Sequence, residues 1–249
     1  MKKTLLTICL VWMCFSLSAQ KIIDLSGKWS FSIDRQDNGE KEKWFSHTLN
    51  DFINLPGSMP EKLKGDEVTA KTQWTGSLYD SSYYYNPYME KYRKEGNIKF
   101  PFFLTPDKHY VGAAWYQKEV NIPADWKGER ILLFLERPHI ETTVWVNGQK
   151  TGMQNSLCVP HQYDITRYVR PGKCTITIRV DNRIKEINVG PDSHSITDQT
   201  QGNWNGIVGR ICLQTTPKTY FDDIQIYPEP EQKLARVKVS SSKVQALQK

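Results

Sequence analysis

Short stretches in which large apolar residues alternate with polar ones recur along this chain, each closed by turn residues, and no helical periodicity longer than about three turns interrupts them. That pattern predicts an all-β fold. Trp29-Ser30-Phe31-Ser32-Ile33 places its large side chains on one face, and Thr142 to Val146 does the same before running into Asn147-Gly148, a pair suited to the positive backbone angles of a tight hairpin. Ile131 to Leu135 is apolar throughout, as a strand covered on both faces should be, while Cys174, Ile176, Ile178 and Val180 oppose Thr175, Thr177 and Arg179. Two sheets sharing one core follow, and a jelly-roll-like β-sandwich is the most economical way to arrange so many strands.

Three regions depart from the pattern. Residues 1–19 join Lys2 and Lys3 to an apolar run from Leu5 to Leu17 and then small Ser18 and Ala19, the layout of a secretory signal peptide. The run is shorter than the roughly 20 residues a spanning helix needs, so the expected location is secreted or periplasmic, with no membrane span after cleavage. Gln73 to Phe103 is rich in tyrosine and phenylalanine without steady alternation and reads as a long excursion from the sandwich, with a short helix expected over Met89 to Lys94, ended by Gly96. From Phe221 onward, Ile224 and Ile226, then Ala235, Val237 and Val239, read as two strands of a further domain. The expected organisation is a signal peptide over 1–19, a β-sandwich over 20–218, and a linker with the incomplete start of a second domain over 219–249.

The formal net charge is +6, and two of those charges lie in the leader. The remaining Lys and Arg are scattered among acids, which excludes the basic stripe of a nucleic-acid binder. Cys158, Cys174 and Cys212 are odd in number and widely spaced, arguing against both a disulfide framework and a zinc site; no metal or cofactor is expected.

Several segments, in order, resemble the sugar-binding domain of glycoside hydrolase family 2, which includes β-galactosidases, β-glucuronidases and β-mannosidases. They are Leu25-Ser26-Gly27-Lys28-Trp29 with Asp34, Leu55-Pro56-Gly57-Ser58, Ala114-Trp115-Tyr116-Gln117, Val120-Asn121-Ile122-Pro123 and Val144-Trp145-Val146-Asn147-Gly148. Pro160-His161-Gln162-Tyr163-Asp164-Ile165-Thr166, Val180-Asp181-Asn182 and Asn203-Trp204-Asn205-Gly206-Ile207-Val208-Gly209-Arg210-Ile211 complete the series. The resemblance runs from about Ile23 to Thr216. It implies a galactose-binding-domain-like sandwich, and it implies that the tail from Tyr220 starts the immunoglobulin-like domain that comes next in the family. It does not bring the catalytic barrel. Retaining glycosidases need two carboxyl groups about 5 Å apart, and Glu136, Glu141, Asp181, Asp192 and Asp198 are scattered strand-end acids more in keeping with loop capping.

Sugars offer apolar C–H faces and a rim of hydroxyls, so their sites combine aromatic platforms with amides and carboxylates. The stretch from Gly190 to Gly206 holds that mixture, with Asp192, His194, Asp198, Gln199, Gln201, Asn203 and Trp204. The resemblance implies that an aspartate shortly before the Asn203 segment reaches the substrate pocket; Asp198 is the nearest, although its spacing to Gly206 is slightly longer than in the β-galactosidases, and Asn203 is next. Trp204 either stacks on sugar or packs under the loop, the second being the more usual fate of a tryptophan beside a strand. His109 and Tyr110 close the aromatic excursion and are expected at the same rim. The tyrosines from 79 to 92 could contact carbohydrate or a neighbouring domain. His161 is expected to bond a backbone carbonyl. The function expected is that of a non-catalytic, carbohydrate-binding front domain of a secreted, β-galactosidase-like exo-glycosidase, with immunoglobulin-like and barrel domains as its partners. The alternative is a stand-alone carbohydrate-binding module, against which two extra strands after Tyr220 argue.

Overall fold

The computed structural model describes residues 20–75, 82–99, 105–185, 197–198 and 202–242. The signal-peptide reading, Asp192, His194, Gln199 and Gln201 therefore lie outside the described residues. Among those described, no helix is long and apolar enough to cross a membrane.

Among the described residues, fifteen strands carry the fold. They are β1 (Ile22–Asp24), β2 (Gly27–Asp34), β3 (Asp51–Leu55), β4 (Gly57–Ser58), β5 (Asp66–Glu67), β6 (Lys108–His109), β7 (Ala113–Ile122) and β8 (Arg130–Pro138). Then come β9 (Glu141–Val146), β10 (Gln149–Asn155), β11 (His161–Asp164), β12 (Gly172–Asp181), β13 (Gly206–Thr216), β14 (Phe221–Glu229) and β15 (Leu234–Ser241). One sheet has the order β1-β13-β8-β11 with β4 also on β13; the facing sheet runs β10-β9-β12-β7-β2-β3. All pairings are antiparallel. This is the predicted sandwich. Its core is filled by the inward positions the alternation marked: Trp29 and Phe31 from β2, Val144 and Val146 from β9, Ile176, Ile178 and Val180 from β12, with Leu133 and Leu135 opposite. Asn147 and Gly148 both have positive φ, 51° and 77°, and make the expected β9–β10 turn.

Trp145 reads as a core residue from the alternation of Thr142 to Val146; it is buried, but in a second core. Every residue of β9 is buried, so its alternation divides side chains between two apolar layers rather than between core and water. Residues 35–50 fold back over the outer face of the six-stranded sheet, and Leu49, Trp44 and Phe45 pack there on Trp115 and Trp145. Phe45 stacks on Trp145 with ring centroids 5.2 Å apart. The turn that starts this flap is pinned by Asp34, whose carboxylate accepts from the Trp115 indole N–H and the Asn38 and Gly39 amides, each at 2.9 Å. A Cβ on Gly39 would lie 2.5 Å from Trp115 Nε1 and 2.7 Å from Asp34 Oδ2. Gly39→Ala should therefore cost about 2–3 kcal/mol, the usual range for overpacking a closed site. Urea unfolding would measure it, and an unchanged midpoint would show that the flap does not stabilise the domain.

The aromatic excursion contains a helical turn at Ser82–Tyr85 and then a 3₁₀ helix at Pro87–Tyr92, where the sequence predicts a short helix over Met89 to Lys94. Pro87 at the first helical position and Asn86, whose side chain accepts from the Tyr88 amide at 3.0 Å, set the start earlier than the periodicity suggested. Among the described residues the cysteines are free: Cys174 and Cys212 are buried, and Cys158 is exposed. Strands β14 and β15 pair as a separate hairpin, aligning Ile224 with Val239 and Ile226 with Val237 on one exposed face.

Candidate functional site

The loop ahead of β13 meets the end of the aromatic excursion through one carboxylate. Asp198 is almost completely buried, and its oxygens accept from the Thr75 and Asn203 amides, each at 2.5 Å. Its own amide donates to the Thr75 carbonyl at 3.0 Å, so residues 75 and 198 are joined twice. His109, at the end of β6, lies against this carboxylate, with Nε2 3.6 Å from Asp198 Oδ2. That nitrogen is buried and has no hydrogen-bond partner among the described residues. The His109 ring packs on Trp74 at 4.7 Å. The structure thus brings Asp198, Asn203 and His109 together.

Asn203 is turned inward. Its Nδ2 donates to Thr75 Oγ1 and the Asn182 carbonyl, and its Oδ1 accepts from Asn182 Nδ2, all within 3.1 Å. Asn182 in turn donates to the Tyr110 carbonyl and accepts from the Gly112 amide, both at 2.8 Å. Asn203 therefore ties the loop to β12 and to the turn before β7. Tyr110 also faces inward: its hydroxyl donates to the Ala113 carbonyl at 2.9 Å, and burial holds its pKa well above the usual phenol range. Trp204 is half-buried and packs on His139, ring centroids 4.5 Å apart. His109, Tyr110 and Val111 line a cleft of about 470 Å³, together with Arg35, Asp66, Thr69, Lys71 and Gln73.

Sequence reasoning missed Thr75, Asn182, Asn205 and His139 as parts of this assembly. The two asparagines stood inside recognised segments, but nothing local marked their side chains as clamps; His139 carried no signal at all. Burial lowers the His139 pKa to about 4 against the pull of Asp198. The unfolded chain binds a proton there near 6.5, so this histidine contributes stability that is complete above pH 6.5 and is lost as pH falls toward 4, about 3 kcal/mol in all. Urea titrations at pH 7 and 4 on the wild type and His139→Gln check this; an equal loss in both proteins refutes it. His161, which the sequence expected on a carbonyl, has Nε2 3.2 Å from the Ser156 carbonyl and Nδ1 2.6 Å from Thr142 Oγ1.

Among the described residues, the acids weighed as a catalytic pair are engaged elsewhere. Glu136 accepts from the Arg210 amide, and Asp181 and Glu141 share Arg179 and Lys185. Among the described residues no group of three or more His, Cys, Asp or Glu could hold a metal ion.

The fold is thus a two-sheet antiparallel sandwich whose loops gather an aspartate, a histidine and amides beside a cleft. The chain belongs to glycosyl hydrolase family 2: the model of that family's sugar binding domain matches residues 22–217. Human β-glucuronidase is 25% identical over 237 residues, covering 84% of this chain and 31% of the relative. The β-glucuronidase of Paenibacillus borealis is 27% identical over 222 residues, covering 83% and 31%. Among solved structures, an uncultured Clostridium sp. β-glucuronidase superposes with a TM-score of 0.59 at 21% identity, over 91% of this chain and 34% of that one. The chain spans about a third of the length of the relatives it matches.

Proposed function

We propose that this domain forms part of the rim of the sugar pocket in a secreted, exo-acting family 2 β-glycosidase whose carboxylate pair lies in another domain. The observation that carries the reading is the His109–Asp198 contact. A buried imidazole nitrogen without a hydrogen-bond partner among the described residues, held beside a carboxylate in the wall of a cleft, is costly unless a ligand completes it. A sugar hydroxyl, which donates and accepts at once, suits both the nitrogen and the lone pairs that Asp198 still has free. Asn203 and Asn182 hold the loop in place, Tyr110 backs the cleft wall, and Trp204 supports the loop from beneath. The exposed apolar face of the β14–β15 hairpin fits the start of an immunoglobulin-like domain.

The β-galactosidase-like specificity expected from the sequence is one arm of the test, and β-glucuronide, supported by the names of the relatives, is the other. The chain alone should release no nitrophenol from para-nitrophenyl β-glucuronide or β-galactoside. In the full-length gene product, Asp198→Asn should lower kcat/KM for the accepted glycoside about tenfold to a hundredfold, the loss expected for a hydrogen bond to a charged group. Hydrolysis by the chain alone, or an Asp198 variant within twofold of wild type, would sink the reading.

A further inference from the structure

A second, larger cleft of about 730 Å³ opens between residues 67–71 and residues 93–99, closed at one end by Pro106 and Asp107. It shares Glu67, Thr69 and Lys71 with the cleft beside His109, so the two are joined along one wall. That volume lies in the range of built ligand sites. Both walls are fixed by local hydrogen bonds rather than by apolar packing. On one, the Thr69 amide donates to Thr72 Oγ1 at 2.9 Å and the Lys71 amide to Thr69 Oγ1 at 3.1 Å. On the other, Asn97 Nδ2 donates to the Lys91 carbonyl at 2.8 Å and the Lys99 amide to the Tyr92 carbonyl at 3.0 Å. The Arg93 guanidinium donates to the Tyr83 carbonyl.

The charge pattern of the lining identifies the ligand class. Lys71, Lys99, Glu95 and Asp107 all face this cleft, and none makes an ion pair among the described residues. Arg93 lines the same cleft and donates to the Tyr83 and Asn86 carbonyls, so the lining sets three cations beside two carboxylates that make no ion pair among the described residues, strong donors next to strong acceptors. A polyanion would set its charges against Glu95 and Asp107 as well as against the cations, and an apolar segment would find little to bury on Val68, Ala70 and Ile98. Vicinal hydroxyls match, because each can donate to a carboxylate and accept from an ammonium, and charged partners strengthen both bonds. Tyr85 and Tyr88, 73% and 86% exposed, lie in the helical turns that precede this wall and do not line the cleft.

We infer that this cleft is a second carbohydrate subsite, which takes the further units of a neutral oligosaccharide whose end unit sits beside His109. The inference rests on the proposed rim only for the position of that end unit. The test is calorimetric titration of the purified chain with disaccharides and hexasaccharides of β-1,4-glucan, β-1,4-xylan and β-1,4-galactan, and with hexagalacturonate. At least one neutral hexasaccharide should bind about tenfold tighter than its disaccharide, the worth of one or two added charge-assisted hydrogen bonds. Glu95→Ala combined with Lys99→Ala should remove that gain, with Tm and disaccharide binding unchanged; both side chains are outside the cleft beside His109. Equal affinity for disaccharide and hexasaccharide, or a gain confined to hexagalacturonate, overturns the inference. A chain-length gain without any Asp198 dependence of kcat/KM in the full-length product would overturn the rim reading alone.

Discussion

Asp181→Ala is expected to cost the domain about 3–5 kcal/mol, because it strips the central carboxylate from a cluster of cations that cannot all return to water. Asp181 is completely buried at the end of β12 and faces the outer surface of the six-stranded sheet, beneath the flap. Its oxygens accept from the Arg183 amide at 3.0 Å and Arg183 Nε at 2.9 Å, and from Arg179 Nη2 and Lys185 Nζ at 2.9 and 2.8 Å. Asp37 on the flap and Glu141 on β9 bind the same cations from the other side. Arg179 is 7% exposed, so losing Asp181 leaves a guanidinium short of a partner where water cannot fully replace it. These hydrogen bonds and cations hold the Asp181 pKa far below the usual carboxylate range, against the opposing effect of burial. A depressed carboxylate contributes stability present above its unfolded pKa near 3.8 and lost as pH falls further. That window lies below the one in which His139 acts, so two separate losses should appear as pH is lowered from 7. Thermal or urea unfolding of Asp181→Ala at pH 7 measures the first effect. A loss under 1 kcal/mol would mean that the cluster is solvated and that the flap is held by its aromatics alone.

Asn205→Ala should be comparably damaging, at about 3 kcal/mol or more, although it removes only an amide. Asn205 is completely buried, and its Nδ2 donates to the Gly112 and Val180 carbonyls, both at 2.9 Å, while Oδ1 accepts from the Tyr116 hydroxyl at 2.7 Å. Its backbone carbonyl accepts from the Met59 amide at 2.7 Å. The side chain therefore ties β12, the turn before β7 and the start of β13 into one unit, directly behind Asp198 and Asn203. Truncation leaves two carbonyls and a hydroxyl buried and under-bonded, each at a cost of about 1–3 kcal/mol before relaxation. Tyr116→Phe removes one of those partners alone and should cost less. The two substitutions together should cost less than their sum, by roughly 0.5–3 kcal/mol, as residues in one network do. Additive losses in a double-mutant cycle would show that the hydroxyl and the amide act independently.

The division between sequence and tertiary structure follows the range of the forces involved. Period-two alternation is a property of adjacent residues, so it marked β2, β9, β12 and the β14–β15 hairpin, and the Asn147-Gly148 turn followed from backbone preference alone. Asp198 and Asn203 were legible through the residues around them, and His109 through its place at the end of the aromatic excursion. What those side chains touch was not legible. The partner of Asp198 is Thr75, 123 residues away, and that of Asn203 is Asn182; only folding brings such pairs together. For the same reason Trp145 reads as a core residue in the alternation, yet which core it joins depends on a flap from residues 35–50 that lands on the outer sheet face. The sequence by itself determined an all-β sandwich of the sugar-binding family. The tertiary structure decided which polar residues are buried clamps and which face the clefts, because burial and hydrogen-bond partnership are set by segments far apart in the chain.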